Sequence, residues 1–152
     1  MAGISSIQSV ISKVEQFEGD LERFTYADAC IKENEQKVIQ LNLDQLYNYG
    51  ENSKGVSIGS YSPYTINLKK EKGQPYDRVT LKDTGDFYRG FFIRTFGDGF
   101  AISSSDDKAR MLAGDWGESI FGLSYESRSK LCHGIILPYV LDKLNSIIYG
   151  NV

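Results

Sequence analysis

The stretch TLKDTGDFYRGFFIRTFGDGFAISS, residues 80–104, decides the fold. Its second half contains two runs rich in aromatic and β-branched residues, 91–96 and 100–104, on either side of a Gly-Asp-Gly break at 97–99. A glycine-rich break between two such runs is typical of a β-hairpin, because tight hairpin turns need positive φ angles that glycine adopts at little cost. We therefore predict an antiparallel hairpin over 91–104.

Helical patterns lie before the hairpin. Apolar residues at three- and four-residue steps from Ile4 to Phe17 predict an amphipathic helix that ends before Gly19. A second helix is predicted from near Tyr26 to Gly50, where glycine suits a left-handed C-cap.

A long helix is predicted at the C-terminal end, with Ser124 as its N-cap and a kink at Pro138. Its apolar residues form two stripes, which together make a wide arc and predict burial on two sides. One stripe contains Leu137, Leu141, Leu144 and Ile148, and the other contains Ile136, Val140 and Ile147.

These patterns predict an α+β protein in which a small antiparallel sheet packs against the N-terminal helices and the long C-terminal helix. A length of 152 residues with 41% hydrophobic residues fits a single domain, 1–152. Residues 50–79 are rich in lysine, glycine and proline and are predicted to form a long extended connection. Within it, Ser62 followed by Pro63 predicts a short helix that runs to about Leu68.

Composition excludes several functional classes. A net charge of −3 argues against a protein whose main work is to grip nucleic acid. Two cysteines, Cys30 and Cys132, fit neither a disulfide framework nor a zinc site, so we predict no metal and no cofactor. The longest apolar run, 135–141, is far shorter than the ~20 residues that span a bilayer, so we expect a soluble protein made in the cytoplasm.

The tripeptide Asp-Thr-Gly at 83–85 is the one that aspartic proteases use to hold a catalytic carboxylate. A chain of this length would need a homodimer to bring two such carboxylates together. Lys82 and Asp86 add charges that disturb a pair sharing one proton. The alternative is that Thr84 caps a short helix with Asp86 in its first turn and that phenylalanines anchor the core, namely Phe87, Phe91 and Phe92.

Other catalytic patterns are weaker. His133 is the only histidine and follows Cys132 directly, and adjacent positions on a helix do not face each other. Asp106 and Asp107 lack the further ligands of a calcium loop and are predicted to cap a helical turn at 108–112. We therefore predict no catalytic residue, and the homodimeric aspartic-protease-like hydrolase using Asp83 remains the alternative function.

A series of motifs runs in a fixed order through NSKGVSIGSYSPYTINLKKEKGQPYDRVTLKDTGDFYRGFFI, residues 52–93. A glycine in a polar segment is followed by a Ser-Pro-x-Thr helix start, a basic pair, and an apolar residue leading into Thr-Gly. The positions are Gly55, 62–65, 69–70, Leu81 and 84–85, with Phe87 in place of a leucine. A Phe-Gly-Leu-Ser entry to the last helix follows at 121–124.

This order resembles the tailed-phage virion-morphogenesis family, also called tail-completion or minor tail proteins of the head–tail neck. Residues 113–117 depart from the family pattern, which usually has a histidine in this turn. The resemblance implies a structural virion protein without an active site, which forms a homo-oligomeric ring at the neck, between the portal or connector and the tail. It also implies portal, connector or tail proteins as partners, assembly in the host cytoplasm, and passive contact with DNA in the lumen.

Interface candidates follow from this expectation, since assembly would depend on aromatic and basic side chains outside the core. The candidates are Tyr61, Tyr64, Lys69, Lys70, Tyr76 and Trp116. A third hypothesis is a nucleic-acid adaptor, which would bind duplex through the basic residues Lys69, Lys70, Lys72, Arg78 and Arg89.

Overall fold

The computed structural model describes residues 7–22 and 25–150. Helices α1 to α3 precede a long connection that contains α4, and α5 leads into the hairpin β1–β2. Three helices follow the hairpin. The bounds are α1 Ile7–Glu22, α2 Thr25–Glu33, α3 Glu35–Asp44, α4 Pro63–Glu71, α5 Asp86–Arg89, β1 Phe91–Phe96, β2 Gly99–Ser104, α6 Ala109–Trp116, α7 Tyr125–Leu131 and α8 Leu137–Tyr149. Two π-helical turns, Gln45–Tyr49 and Cys132–Ile136, extend α3 and join α7 to α8, and a 3₁₀ turn covers Glu118–Ile120.

The hairpin confirms the prediction made from residues 91–104. β1 and β2 pair antiparallel with Phe96 opposite Gly99, so residues 97 and 98 form the turn. Gly97 has a φ of 42°, in the left-handed region that glycine favours. β1 packs against α2 and α3, and this arrangement of a small sheet against helices is the predicted α+β class.

The first two helices differ from their predicted bounds. α1 continues through Gly19 to Glu22, so the predicted end before Gly19 is wrong. A glycine inside a helix costs only about 0.5–1 kcal/mol, which is too little to end a helix whose Phe17 is buried. Ile4, which began the predicted apolar face, lies outside the described residues.

The predicted second helix is interrupted at Asn34. The side-chain amide of Asn34 donates to the carbonyl oxygen of Cys30 at 3.0 Å, and the backbone leaves helical geometry at this residue (φ −113°, ψ 23°). The backbone hydrogen bonds through this residue are kept, from the N–H of Asn34 to the carbonyl oxygen of Cys30 and from the N–H of Val38 to that of Asn34, so the interruption is a local change in backbone angles. The predicted end is confirmed, because Gly50 has a φ of 62° and caps the π-helical turn after α3.

Two buried amides, Asn42 of α3 and Gln45 of the π-helical turn that follows it, position the start of the last helices. Asn42 donates to the carbonyl oxygen of Ile120 at 3.2 Å and accepts from the backbone N–H of Gly122 at 2.9 Å. Gln45 accepts from the N–H of Ser124 at 2.7 Å. The Ser124 hydroxyl then accepts from the N–H of residue 127, which confirms the predicted N-cap of α7.

The C-terminal helical segment is less buried than predicted. Pro138 lies in the first turn of α8, directly after the π-helical turn, where a missing backbone N–H is tolerated. α8 packs on α1, yet none of its residues is buried, so the predicted burial on two sides is wrong for a single chain. By length and composition alone, Glu118–Tyr149 is also apolar enough to cross a membrane. Its helical course is broken at Gly122, with a φ of 104°, before α7 begins.

The connection at 50–79 is folded onto the rest of the chain. Glu51 forms a β-bridge with Ser57, and the N–H of Ser53 donates to the carbonyl oxygen of Ser119 at 2.7 Å. Ser62 caps α4 as predicted, and the helix runs beyond the predicted Leu68. The segment therefore contains more packed structure than an extended connection would have.

Candidate assembly surfaces

The Asp-Thr-Gly segment at 83–85 forms the entry to α5. Gly85, with a φ of 92°, occupies the N-cap position, so the prediction that Thr84 is the N-cap is wrong by one residue. The Thr84 hydroxyl instead donates to the carboxylate of Asp86 in the first turn. Glycine is favoured at the cap because this backbone conformation is costly for a residue with a Cβ. Phe87 and Phe91 are buried core anchors as predicted, whereas Phe92 is only partly buried.

Asp83 itself is an exposed, paired carboxylate. Its Oδ1 accepts from Lys72 Nζ at 2.7 Å. This hydrogen bond lowers the pKa of Asp83 below its ordinary value. A catalytic dyad needs the opposite, a carboxyl that keeps a proton shared with its partner. The geometry of the single chain therefore does not favour the protease alternative.

Residues 80–82, just before this segment, are held by three side chains. Leu81 has a φ of 55°, which is unusual for a residue other than glycine. The hydroxyl oxygen of Tyr61 accepts from the N–H groups of Thr80 and Leu81, at 2.9 and 3.3 Å. Lys69 donates to the carbonyl oxygen of Lys82 at 2.9 Å.

Tyr88 completes this set of contacts. Its hydroxyl donates to the carbonyl oxygen of Thr80, and burial raises the pKa of Tyr88. The ammonium of Lys69 lies 4.9 Å from the ring centroid of Tyr61, and its side chain is only 7% exposed. Tyr61 and Lys69 thus stabilise the fold of their own chain, and Lys69 is not accessible to a partner.

Trp116 is also engaged within the chain. Its ring meets that of Tyr61 edge to face, with centroids 6.4 Å apart. It lies so close to Gly59 that a Cβ on this glycine would be 3.1 Å from the indole. The close approach explains why the connection has glycine at this position. Trp116 is partly buried as a result.

The remaining candidates and Leu68 are exposed side chains in two pairs, Tyr64 with Leu68 and Lys70 with Tyr76, which together we call the tyrosine surface. Tyr64 is 73% exposed and Tyr76 is 46% exposed. Tyr64 and Leu68 are four residues apart on α4 and therefore share a face. The ammonium of Lys70 lies 4.8 Å from the ring centroid of Tyr76. Of the six candidates, the structure leaves these tyrosines and Lys70 free to meet a partner.

A second apolar surface lies on the packed helices α1 and α8, and sequence reasoning missed it. We call it the helical-pair surface and define it as Ile7, Ile11, Leu137 and Leu141. Leu137 is 48% exposed and Leu141 is 47% exposed. The apolar arc was visible in the sequence, but periodicity alone does not say whether the same chain or another chain covers it.

The basic residues of the nucleic-acid hypothesis are mostly partnered. Lys72 pairs with Asp83, Arg89 pairs with Asp86, and Arg78 binds Asp77 as well as the carbonyl oxygen of Tyr47. With Lys69 buried, the cluster presents little free positive charge to a phosphate backbone.

Within residues 7–22 and 25–150, no group of three or more His, Cys, Asp or Glu side chains is arranged to hold a metal ion. His133 is exposed and its Nδ1 hydrogen bonds the backbone carbonyl of Ser129 at 2.9 Å. The neighbouring Cys132 is exposed, whereas Cys30 is buried. Cys132 and His133 do not hydrogen bond each other among these described side chains.

Comparisons with protein-family models, with curated protein sequences and with solved structures return no match to this chain. The motifs at 52–93 and 121–124 and the exposed surfaces of the molecule are therefore the grounds for a functional proposal.

Proposed function

We propose that the chain is a structural protein of a tailed-bacteriophage virion and forms an oligomeric ring at the head–tail neck, as a connector or tail-completion subunit. The observation that carries this proposal is the apolar arc of α8, none of whose residues is fully buried by the described chain and in which Leu137 and Leu141 are exposed. An apolar face of this width on a folded domain normally meets another protein. The order of motifs from 52 to 124, with its resemblance to neck proteins, supports the choice of partner and place.

The energetics require more than one contact surface. Leu137 and Leu141 are each about half exposed, so burying the rest would contribute about 1 kcal/mol apiece, given roughly 1.5–3 kcal/mol for a whole leucine side chain. Association costs roughly 4–15 kcal/mol in lost translational and rotational freedom. The helical-pair surface is therefore one part of a larger interface, to which the tyrosine surface contributes aromatic area.

The two surfaces lie on different elements, α1 with α8 and α4 with the turn that follows it. A contact between unlike patches is heterologous, and repetition of one heterologous contact closes a ring when the rotation is right. A self-complementary two-fold contact would stop at a dimer. Contact between the tyrosine surface of one copy and the helical-pair surface of the next would therefore give a ring rather than a dimer.

The electrostatics suit a ring around passing DNA. The chain carries a net charge of −3, and most of its clustered basic side chains are paired with carboxylates. Pairing with carboxylates lowers the counterion release that these clustered side chains could contribute on contact with duplex. The subunit would therefore line or surround the channel without holding the DNA, with portal, connector and tail proteins as its binding partners.

Localisation on the particle tests this proposal. Antibody labelling of tailed particles whose genome encodes the chain should mark the head–tail junction. Removal of the coding sequence should leave filled heads and tails that do not join. Infectious particles formed without the chain, and no label on the virion, would contradict the proposal.

A further inference from the structure

The rest of the chain covers one edge of the hairpin and leaves the other edge unpaired. The outer edge of β1 is covered by α2 and α3, and the N–H of Ile93 donates to Glu35 Oε1 at 3.1 Å. Successive residues of an antiparallel strand point their backbone groups in alternate directions. The backbone N–H and C=O of Ile93 therefore point away from β2, and those of its neighbours Phe92 and Arg94 make the cross-strand hydrogen bonds.

The same alternation decides which residues of β2 direct their backbone groups away from β1. Arg94 is opposite Ala101, and residue 92 is opposite 103, so these pairs exchange hydrogen bonds. Phe100 and Ile102 then direct their N–H and C=O groups away from β1. Within the part of the chain that the structure describes, no hydrogen bond links these backbone groups to another segment.

Space lies beside this unpaired edge. A groove of about 540 Å³ runs between β2 and the segment from 121 to 136, with Leu123, Leu131 and Cys132 on its far wall. We call it the edge groove. β2 contains no charged residue and no proline, which are the usual means of blocking an exposed edge. The edge therefore has neither of these blocks against pairing with an added extended strand.

The chain also exposes a residue of matching backbone geometry, Ser57, within the segment 56–60. Asn52 donates to the carbonyl oxygen of Val56, and Ile58 donates to that of Gly50, both at 2.9 Å. These bonds flank Ser57, which forms a bridge with Glu51. Ser57 therefore directs its own N–H and C=O away from residues 50–52, and its side chain is exposed.

We propose that residues 56–60 of one copy add as a strand to the β2 edge of the next copy and occupy its edge groove. Ser57 then exchanges backbone hydrogen bonds with Phe100 or Ile102, and the exposed Val56 enters the groove, whose lining is mostly apolar but includes Asp98 and Arg128. The contact is heterologous and rests on the ring proposed above, for which it would supply the joint between subunits.

Cys132 in the edge groove provides a cross-linking test in the full chain. Ser57→Cys, treated with a short bismaleimide, should give a ladder of dimers, trimers and larger products, because each copy carries one thiol at each end of the contact. The same variant with Cys132→Ser should give no ladder, nor should the wild-type chain, whose other thiol, Cys30, is buried. A ladder that persists without Cys132, or its absence in Ser57→Cys, would overturn the contact.

Proline and alanine at Ser57 form a matched pair for the assembled state. Ser57→Ala keeps the backbone N–H and should assemble like wild type. Ser57→Pro lacks it and should need roughly tenfold more protein to assemble, the effect of about 1.4 kcal/mol. Circular dichroism shows whether each variant is folded, and the cross-linking result stands if Ser57→Pro is not.

Three outcomes separate this contact from the proposed function. A ring that is unaffected by Ser57→Pro overturns the contact and leaves the ring. The variant Ala101→Cys tests whether β2 pairs with a second β2 across a two-fold axis. If this variant forms only disulfide-linked dimers, β2 pairs with β2, and the proposed contact is overturned. Monomers at every concentration, without cross-linked products, overturn both proposals.

Discussion

Leu81 adopts a left-handed backbone conformation that costs of the order of 1–3 kcal/mol for a residue other than glycine. Neighbouring side chains maintain it, because Tyr61 accepts the N–H groups of Thr80 and Leu81, and Tyr88 donates to the Thr80 carbonyl. Thr80 is fully buried, so its backbone groups have no access to water. The tyrosine hydroxyls are thus part of the fold and not of a binding surface.

Tyr61→Phe should destabilise the fold. Loss of the hydroxyl leaves buried N–H groups without an acceptor, at a cost of about 2 kcal/mol. For a chain of this length, this corresponds to a fall in melting temperature of about 4–8 °C. Tyr64→Phe is the control, since Tyr64 is 73% exposed and should change the melting temperature little. Equal melting temperatures for the two variants would contradict the structural role of Tyr61.

Asp83→Asn distinguishes the structural protein from the aspartic-protease alternative. The substitution removes an exposed ion pair with Lys72, which is worth at most about 1 kcal/mol. Fold and assembly should therefore be retained, and neither wild type nor variant should cleave unfolded protein at acidic pH. Cleavage by wild type that Asp83→Asn abolishes, with the fold intact, would establish the hydrolase.

Among the elements, those with a local chemical cause were predictable. The hairpin at 91–104, the serine caps at 62 and 124 and the glycine cap at 50 each depend on a side chain or glycine at a fixed position. The break at Asn34 is a local change in backbone angles that hydrophobic periodicity does not mark, and the start of α7 depends on the side-chain amide of Gln45, which lies 79 residues earlier in the sequence. A contact over such a separation leaves no periodic trace in the sequence.

Gly50→Ala and Gly73→Ala should differ in their effect on stability. Both glycines have a φ near +60°, so each alanine carries the left-handed penalty of about 1–2 kcal/mol. A Cβ at residue 50 would also lie 2.9 Å from the Cβ of Arg78, whereas a Cβ at residue 73 meets nothing within 4 Å. Gly50→Ala should therefore lower the free energy of unfolding by about 1–3 kcal/mol more than Gly73→Ala. Chemical denaturation measures the difference. Equal losses in the free energy of unfolding would show that the Arg78 side chain moves aside and would contradict the prediction.

At the scale of the whole molecule, the fold class was accessible from the sequence, but the division between core and surface was only partly so. Tyr61 and Lys69 of the lysine- and glycine-rich connection and Trp116 at the end of α6 were expected at an interface, yet they pack against their own chain. α8 shows the reverse, since no residue of an apolar arc expected in the core is fully buried, and Leu137 and Leu141 are exposed. Composition and periodicity give the polarity of a face, and only the tertiary arrangement decides what covers it.

Leu141→Glu tests whether the helical-pair surface is an assembly contact. Because Leu141 is about half exposed in the single chain, the subunit should remain folded. A carboxylate buried without a partner would disfavour the interface, so the oligomer should dissociate. Asn145→Glu places the same charge at an exposed polar position of α8 and should assemble normally. Unfolding of Leu141→Glu, or assembly equal to that of Asn145→Glu, would contradict this role.

The central claim is that identical subunits join head to tail and close into a ring. Native mass spectrometry of the purified full chain over a concentration series tests it most directly, with electron microscopy of the same sample. We predict one discrete assembly of more than two copies that images as a ring. A chain that remains monomeric or stops at a dimer at every concentration would contradict the claim.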